Sequence, residues 1–470
     1  MQRLIKIGNV KPKHSKNIQN SRIGLGMEKL DRDSFDPSRV YDKVAELGVK
    51  WVRLQSGWKK TEQEKGIYNF AWLDEQVDNL IERGLIPWIC LCYGNGLYDE
   101  VAKKSFGAVG CPPIRTQEAF DAWKCYCKEL VEHFKNRVTY FEIWNEPEGK
   151  HCWLPEADPH EYALLAKETA KVIKEANPTA KVLAGSHFMR SMEALYVECT
   201  DGMLENVDAI TYHEYTYDES AIYQRVKSIQ AVCDMFKPGI EIIQGESGSP
   251  TKPSDSGEFK DMKTDEATQA KQMLRHTIAD ILSNVKFTSI FSCVDMQEMW
   301  GAEAGAKVTK AGYYGMLSAV IDSETGTAVG AYSEKPSYFA LQNMCAVLDE
   351  EIELFELPVL FLPQKSEILG AWDCKDATIS FGGVKKENGA KALIYWNATD
   401  LMTIKGFEST VSIQTAGMDE KVVLIDLMDG SVYELPDCIF KNKGNGIFEF
   451  KNLPIKDYPM VLAFGDFLSE

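Results

Sequence analysis

The chain has 470 residues, and 52 Lys and Arg stand against 70 Asp and Glu, so its formal net charge is −18. This excess of negative charge repels phosphate backbones and anionic lipids, so we expect neither nucleic acid nor membrane as a partner. The length suits a (β/α)8 barrel of about 250 residues plus a second domain.

The N-terminus carries no apolar run of signal-peptide length, and no later stretch has the roughly 20 apolar residues of a membrane helix. The 12 cysteines are scattered through predicted strands and helices and form no dense disulfide framework. Cys90 with Cys92, and Cys125 with Cys127, lack the C-x-x-C spacing of zinc sites. We therefore expect buried free thiols, no metal and a cytoplasmic location.

The first 345 or so residues repeat one unit, which consists of an apolar β-branched run, a polar loop and an amphipathic helical pattern. Alternating strands and helices indicate a parallel sheet that is covered by helices. Eight runs are typical of strands, and eight is the number that closes a (β/α)8 barrel. These runs lie at residues 23–26, 51–54, 87–92, 140–144, 182–185, 209–212, 240–243 and 289–293.

The helices between these runs have recognisable ends. Asp158-Pro159-His160-Glu161 combines a capping residue, a proline at the first helical position and a glutamate that can reach back to the cap. Asp36-Pro37 opens an earlier helix, which Gly48 ends. A last helix, from Pro336 to about Leu348, is expected to close the barrel.

After about residue 350 helical periodicity disappears, and short apolar runs separated by turn residues replace it. Asp429-Gly430 and Asn388-Gly389 are strong signals for β-hairpins. The sequence therefore predicts an α/β fold, in which a (β/α)8 TIM barrel over residues 1–350 precedes an antiparallel β-sandwich domain over residues 351–470.

Two of the predicted barrel strands end in a glutamate, at the edge of the barrel where active sites lie. The fourth run ends Trp144-Asn145-Glu146-Pro147, and the seventh ends Gln244-Gly245-Glu246-Ser247-Gly248. These strands lie on opposite sides of one small barrel, so Glu146 and Glu246 can face a common centre. Glycosidic cleavage requires such a pair, because one group protonates the leaving oxygen while the other attacks the anomeric carbon or activates water.

These motifs resemble those of clan A retaining glycoside hydrolases, nearest to the β-xylosidase type of family 39. The resemblance covers residues 20–348 and includes Arg53-Leu54-Gln55-Ser56-Gly57-Trp58 and the stretch at 62–74. It implies a retaining glycosidase that hydrolyses β-linked glycosides through a covalent glycosyl-enzyme, with a carbohydrate substrate and no cofactor. In related enzymes the N-terminal segment joins the sandwich, so residues 1–15 are expected to add a strand.

The resemblance also implies roles for single residues. Glu146 would be the general acid/base and Glu246 the nucleophile, while Asn145 would bond the sugar 2-hydroxyl and Arg53 would orient Glu246 and hold it ionised. Glu146 then needs a raised pKa to remain a proton donor near neutrality. Retaining enzymes hold the two carboxyl groups about 5 to 5.5 Å apart, whereas inverting enzymes need about 6.5 to 9.5 Å.

By the same resemblance, His213 and Tyr215 match the His-x-Tyr pattern of the sixth strand, so they are expected to line the site and to hydrogen-bond the nucleophile. Trp300 lies several residues beyond the end of the eighth strand. It is a candidate for an aromatic surface on which the sugar stacks, as are Trp58 and Trp153. Core packing is an equally good interpretation of each tryptophan.

Two further interpretations stay open. A catalytically inactive carbohydrate-binding protein would keep the glycosidase scaffold, although the presence of both glutamates argues against it. A barrel lyase or isomerase could use two glutamates to move protons at carbon, but such enzymes usually recruit a metal, a lysine or a phosphate site. The sequence contains no glycine-rich phosphate loop, no His-Glu-x-x-His motif and no Gly-x-Ser-x-Gly elbow.

Overall fold

A computed structural model describes residues 4–188, 192–253, 259–299, 301–308, 310–363 and 378–468. Eight parallel strands form a closed barrel in chain order, and the eighth pairs with the first, so the predicted (β/α)8 fold is confirmed. We label these strands β1 to β8. Their bounds are Ile23–Gly26, Trp51–Gln55, Ile86–Leu91, Tyr140–Ile143, Lys181–His187, Ala209–His213, Glu241–Ser247 and Thr288–Ile290.

The described residues contain ten α-helices, none of which is both long enough and apolar enough to cross a membrane. We label them α1 to α10. Their bounds are Tyr41–Glu46, Trp58–Thr61, Ala71–Glu82, Glu100–Lys104, Gln117–Phe134, Pro159–Ala176, Met192–Thr200, Ser220–Asp234, Glu266–Leu282 and Pro336–Val347.

The helix ends follow the predicted signals with one difference. The Asp158 carboxylate accepts a hydrogen bond from the His160 amide, and Pro159 is the first residue of α6. Asp36 likewise accepts from the Ser38 amide, but the chain first forms a 3₁₀ turn over Pro37–Arg39. The α-helix begins only at Tyr41, because a 3₁₀ turn is a common way to start a helix after a proline.

Two antiparallel sheets follow the barrel, and hairpins occur at both predicted Gly positions, where Gly389 and Gly430 have φ angles of 84° and 73°. The first sheet has seven strands, in the spatial order Ile5–Asn9, Ser431–Glu434, Val422–Asp426, Met460–Phe464, Lys391–Asn397, Ile379–Lys385 and Glu353–Phe355. The second has four strands, in the order Val359–Pro363, Glu408–Ala416, Ile447–Lys456 and Phe440–Asn442.

Three short antiparallel pairs complete the described strands. They join Glu62–Glu64 with Ile67–Tyr68, Met296–Gln297 with Ala311–Gly312, and Leu317–Ile321 with Ala328–Glu334.

Buried polar contacts join the sandwich to the barrel. Arg275 on α9 donates to the Thr399 carbonyl oxygen at 2.8 Å and forms an ion pair with Glu219 at 2.5 Å. Trp396 of the sandwich donates through its indole nitrogen to the same glutamate at 2.6 Å. Arg275 and Glu219 both belong to the barrel, and each hydrogen-bonds one residue of the sandwich, so this buried ion pair connects the two parts of the chain.

Candidate active site

The two glutamates that the sequence singles out face each other at the C-terminal ends of β4 and β7. Glu246 is the penultimate residue of β7, and Glu146 follows β4 by three residues. Glu146 has a φ angle of +48°, a conformation that costs a non-glycine residue roughly 1 kcal/mol or more and that is typical of functional sites. One carboxylate oxygen of each glutamate lies within 4.8 Å of the other. This close approach of one oxygen pair is in keeping with the separation of about 5 to 5.5 Å between carboxyl groups in retaining glycosidases.

Arg53 on β2 holds three of the surrounding side chains. Its Nη1 donates to Glu246 Oε2 at 2.8 Å, and its Nη2 donates to Asn145 Oδ1 at 2.9 Å. Both Nε and Nη2 donate to Glu142 Oε2 on β4, at 2.9 and 2.6 Å. Burial opposes the positive charge, but Glu142 and Glu246 outweigh it and raise the pKa of Arg53 above its usual value. The guanidinium is therefore a permanent cation behind Glu246.

The two residues of the His-x-Tyr pattern bind different glutamates. The Tyr215 hydroxyl donates to Glu246 Oε1 at 2.5 Å, as the sequence predicts. His213 Nδ1 lies 3.0 Å from Glu146 Oε1 and 4.0 Å from Glu246 Oε2, so it bonds Glu146 rather than the expected Glu246. The other ring nitrogen of His213 contacts Ser186 Oγ at 3.1 Å, which fixes the ring in the orientation that serves Glu146.

A second histidine, His151, contacts Glu146, although no pattern in the sequence marks it. His151 Nε2 lies 3.3 Å from Glu146 Oε2, so each oxygen of this carboxylate faces an imidazole. Burial raises the pKa of Glu146, but the hydrogen bonds to His151 and His213 outweigh burial and lower it. The structure thus differs from the expected raised pKa, because two imidazoles stabilise the ionised carboxylate.

Glu28, two residues after β1, is a further acidic side chain at this end of the barrel. It is 1% exposed, and neither of its carboxylate oxygens hydrogen-bonds another described residue. Its Oε1 lies 3.7 Å from Arg53 Nη1. Burial raises the pKa of Glu28 to about 8, although Arg53 opposes this rise. In the sequence, Met27-Glu28-Lys29 has the composition of an ordinary polar loop, and only its place directly after a barrel strand could have marked it.

A cavity of about 310 Å³ lies in front of these carboxylates, at the small end of the range for ligand pockets. Glu146, Glu246, Asn145 and Tyr215 line it, whereas Arg53 and His213 are fully buried behind them. Other parts of its wall come from Glu28, His151, Tyr93, Phe106, Phe188, Phe291 and Tyr314. The wall thus combines polar groups with flat aromatic side chains.

The tryptophans do not line this cavity within the described part of the chain. Trp58 is 1% exposed and Trp153 is fully buried, so both belong to the core. Trp58 stacks on Tyr98, and Trp153 packs edge-on against Trp144. Trp300 lies outside the described residues.

Two sets of side chains have the spacing to hold a metal ion. Glu146 with His151 and Cys152 forms one set, and Glu146 with His213 and Glu246 forms the other. In each set the donor atoms lie within 4.8 Å of one another. In the second set Arg53 Nη1 already binds the Glu246 carboxylate, and its positive charge opposes a second cation there.

Solved structures similar to this one include glycoside hydrolases. A family 39 glycoside hydrolase from the gut symbiont Bacteroides cellulosilyticus WH2 is 16% identical, and the alignment covers 96% of this chain and 82% of that chain with a TM-score of 0.65. A family 39 β-xylosidase from Caulobacter crescentus is also 16% identical over 98% of both chains, with a TM-score of 0.56. At this identity the likeness shows the fold alone.

Sequence comparison identifies the family. A β-galactosidase, BgaH of Haloferax lucentense, is 37% identical over only 49 residues, which make up 10% of this chain and 7% of that protein. Residues 39–414, which include both glutamates and most of the two domains, match the family described as glycosyl hydrolases family 39. The chain therefore belongs to glycoside hydrolase family 39.

Proposed function

We propose that the protein is a retaining glycosidase that hydrolyses β-linked glycosides by double displacement. The observation that carries this proposal is the approach of Glu146 and Glu246 to within 4.8 Å. Such a close approach favours direct attack by one carboxylate, because inverting enzymes hold the two carboxyl groups about 6.5 to 9.5 Å apart to leave room for a water molecule.

Glu246 is the better nucleophile of the two. Its oxygens accept hydrogen bonds from Arg53 Nη1 and from the Tyr215 hydroxyl, so the carboxylate is held in one orientation beside a cation. Burial and the neighbouring Glu246 raise the pKa of Tyr215, so its hydroxyl remains a donor. Glu146 acts as the acid in its protonated form: Glu246 attacks the anomeric carbon, the Glu146 carboxyl group gives its proton to the glycosidic oxygen, and the carbon–oxygen bond to the leaving alcohol breaks.

The second displacement reverses these roles. Glu146 takes a proton from a water molecule, the water oxygen bonds to the anomeric carbon, and the ester bond to Glu246 breaks. Each displacement inverts the anomeric centre, so the product keeps the configuration of the substrate.

Asn145 is proposed to bind the sugar 2-hydroxyl. Arg53 fixes its side-chain oxygen at 2.9 Å, while its nitrogen makes only a 3.8 Å contact with Cys152 Sγ. Asn145 lines the cavity, and an amide nitrogen carries two N–H donors, so it has one to offer to a hydroxyl group. We also propose a cytoplasmic location, because the cysteines that the structure describes are all free thiols.

The test is a panel of aryl β-glycosides assayed with the wild type, Glu146→Ala and Glu246→Ala. Glu132→Ala, on the exposed face of α5, is the control for the same chemical change elsewhere. We expect Glu246→Ala to lose about 100-fold or more in kcat/KM with every aryl glycoside, Glu146→Ala to lose as much with glycosides whose leaving group needs a proton, and the control to lose nothing. Azide should restore the activity of Glu146→Ala and give a product with a β-azide group. Unlike water, this small anion needs no general base to attack the glycosyl-enzyme.

Two outcomes would contradict the proposal. If both variants keep full activity, the assignment of the glutamates is wrong. If the folded wild type binds β-glycosides but hydrolyses none, the chain is a carbohydrate-binding protein on a glycosidase scaffold.

A further inference from the structure

His151, which the proposed mechanism does not use, is placed beside Glu146 by the loop between β4 and α6. The Gly149 amide donates to the Glu146 carbonyl oxygen at 2.9 Å, and the Cys152 amide donates to the Gly149 carbonyl oxygen at 2.8 Å. These consecutive turns fold the loop back on itself. As a result, His151 Nε2 comes within 3.3 Å of Glu146 Oε2 although the two residues are five positions apart in sequence.

The position of His151 is fixed by its surroundings. The Trp144 indole donates to the Cys152 carbonyl oxygen at 2.8 Å and anchors the loop to the buried end of β4. The ring also packs closely on Gly149, where a Cβ atom would lie 3.2 Å from His151 Cε1. His151 is thus a positioned side chain at the cavity rather than a freely rotating surface residue.

The two histidines that contact Glu146 differ in their access to solvent. The side chain of His213 is fully buried, and Ser186 occupies its second ring nitrogen. The side chain of His151 is 29% exposed and lines the cavity. Glu146 is itself 12% exposed on the same cavity wall, so water can reach both members of this pair, whereas His213 is closed off from solvent.

The charges around His151 favour its protonated form. Burial alone would lower the pKa of the imidazole, but Cys152 and Glu146 outweigh burial and raise it to about 11. Near neutrality the pair formed by Glu146 and His151 therefore holds its proton on the imidazole, beside an ionised carboxylate. The other titratable groups around this pair are His213 and Glu246, which face Glu146, Tyr215, which feels the charge of Glu146, and Cys152, which is next to His151 and has Arg32 and Tyr93 beside it.

We propose that His151 is a positioning residue that shares with Glu146 the proton delivered to the leaving group. This inference rests on the proposed function. In the first displacement the Nε2 proton passes to the Glu146 carboxylate and on to the glycosidic oxygen as the carbon–oxygen bond breaks. In the second, the proton that Glu146 takes from water returns to Nε2, so one proton leaves and one returns per cycle.

The test compares two glycosides of one sugar that differ only in their leaving group. A dinitrophenyl group departs without a proton, whereas an unsubstituted phenyl or alkyl group requires one. We expect His151→Asn to lower kcat/KM about 10- to 100-fold for the poor leaving group and less than about twofold for dinitrophenyl. We also expect the alkaline limb of the pH profile to move to lower pH. His160→Asn, at the exposed start of α6, is the matched control.

An equal loss with both leaving groups, or no loss with either, would overturn the inference. His151→Gln repeats the comparison if the asparagine variant unfolds. Glu146→Ala separates this inference from the proposed function, because it must show the same leaving-group selectivity if Glu146 is the acid. If Glu146→Ala is selective and His151→Asn is not, only the role of His151 is refuted.

Discussion

Arg53 Nη1 lies 2.8 Å from Glu246 Oε2, so a guanidinium with no exposed surface holds one oxygen of the proposed nucleophile. The same group also binds Glu142 and Asn145, which belong to the strand and loop that carry Glu146. Removing one partner of a buried ion pair leaves an uncompensated charge. The stability of the barrel and the geometry of the site therefore depend on the same side chain.

Arg53→Lys tests this dependence. Lysine keeps the positive charge but lacks the planar guanidinium group, whose several N–H donors bind three acceptor side chains at once. We expect kcat/KM to fall about 100-fold or more and the free energy of unfolding, measured by denaturant titration, to fall by about 2 to 3 kcal/mol, because hydrogen bonds to charged groups are lost. Arg83→Lys is the control, because Arg83 pairs with the exposed Asp42 at the surface and such pairs contribute about 1 kcal/mol or less. If Arg53→Lys matches this control in both measurements, the account of Arg53 is refuted.

Tyr215→Phe tests the second hydrogen bond to the nucleophile. Loss of the 2.5 Å contact with Glu246 should lower kcat about 10- to 100-fold, because a hydrogen bond to a charged group contributes about 1.5 to 3 kcal/mol. Tyr217→Phe is the matched control, because it removes a hydroxyl group from a tyrosine two positions further along the chain. That hydroxyl contacts Ser249 Oγ at 2.6 Å. In steady-state kinetics, Tyr215→Phe should lower kcat more than Tyr217→Phe does. An equal loss of kcat in both variants would contradict a specific role for Tyr215.

Glu28→Gln tests the buried carboxyl group near Arg53. The pKa of Glu28 is about 8 in the folded state and about 4.5 in a model compound, so between these values the folded state binds more protons than the unfolded state. Stability of the wild type should fall as pH rises through this window, by up to about 1.4 kcal/mol per pH unit.

Glutamine cannot ionise, so this loss should be absent from the variant. The stability of Glu28→Gln relative to the wild type should therefore increase from pH 5 to pH 8, as urea unfolding at several pH values would show. Glu132→Gln, on the exposed face of α5, is the control. A constant difference between Glu28→Gln and the wild type across this range would exclude a raised pKa for Glu28.

The sequence predicts the barrel well because each strand is an apolar run between polar loops, so its place in the series can be counted. The same counting places Glu146 and Glu246 at one end of the barrel, since parallel strands end at a common edge. The partner of His213 could not be predicted in this way, because distances of 3.0 and 4.0 Å to the two carboxylates depend on how Ser186 turns the ring.

Two site residues carry no signal of their own in the sequence. His151 reaches Glu146 only because turns at Gly149 fold the loop back, and turn geometry inside a long loop is not readable from composition. Glu28 is distinguished by burial and by the lack of a hydrogen-bonding partner among the described residues, and both depend on packing by other elements.

The central claim is that Glu246 becomes covalently bound to the sugar. The most direct test is mass spectrometry of the protein after incubation with a 2-deoxy-2-fluoro glycoside of the sugar that the aryl glycoside panel identifies, because the fluorine slows hydrolysis of the intermediate. We predict a mass increase of one fluorosugar, located by peptide mapping on Glu246. A sugar attached to Glu146 or to any other residue would contradict the account.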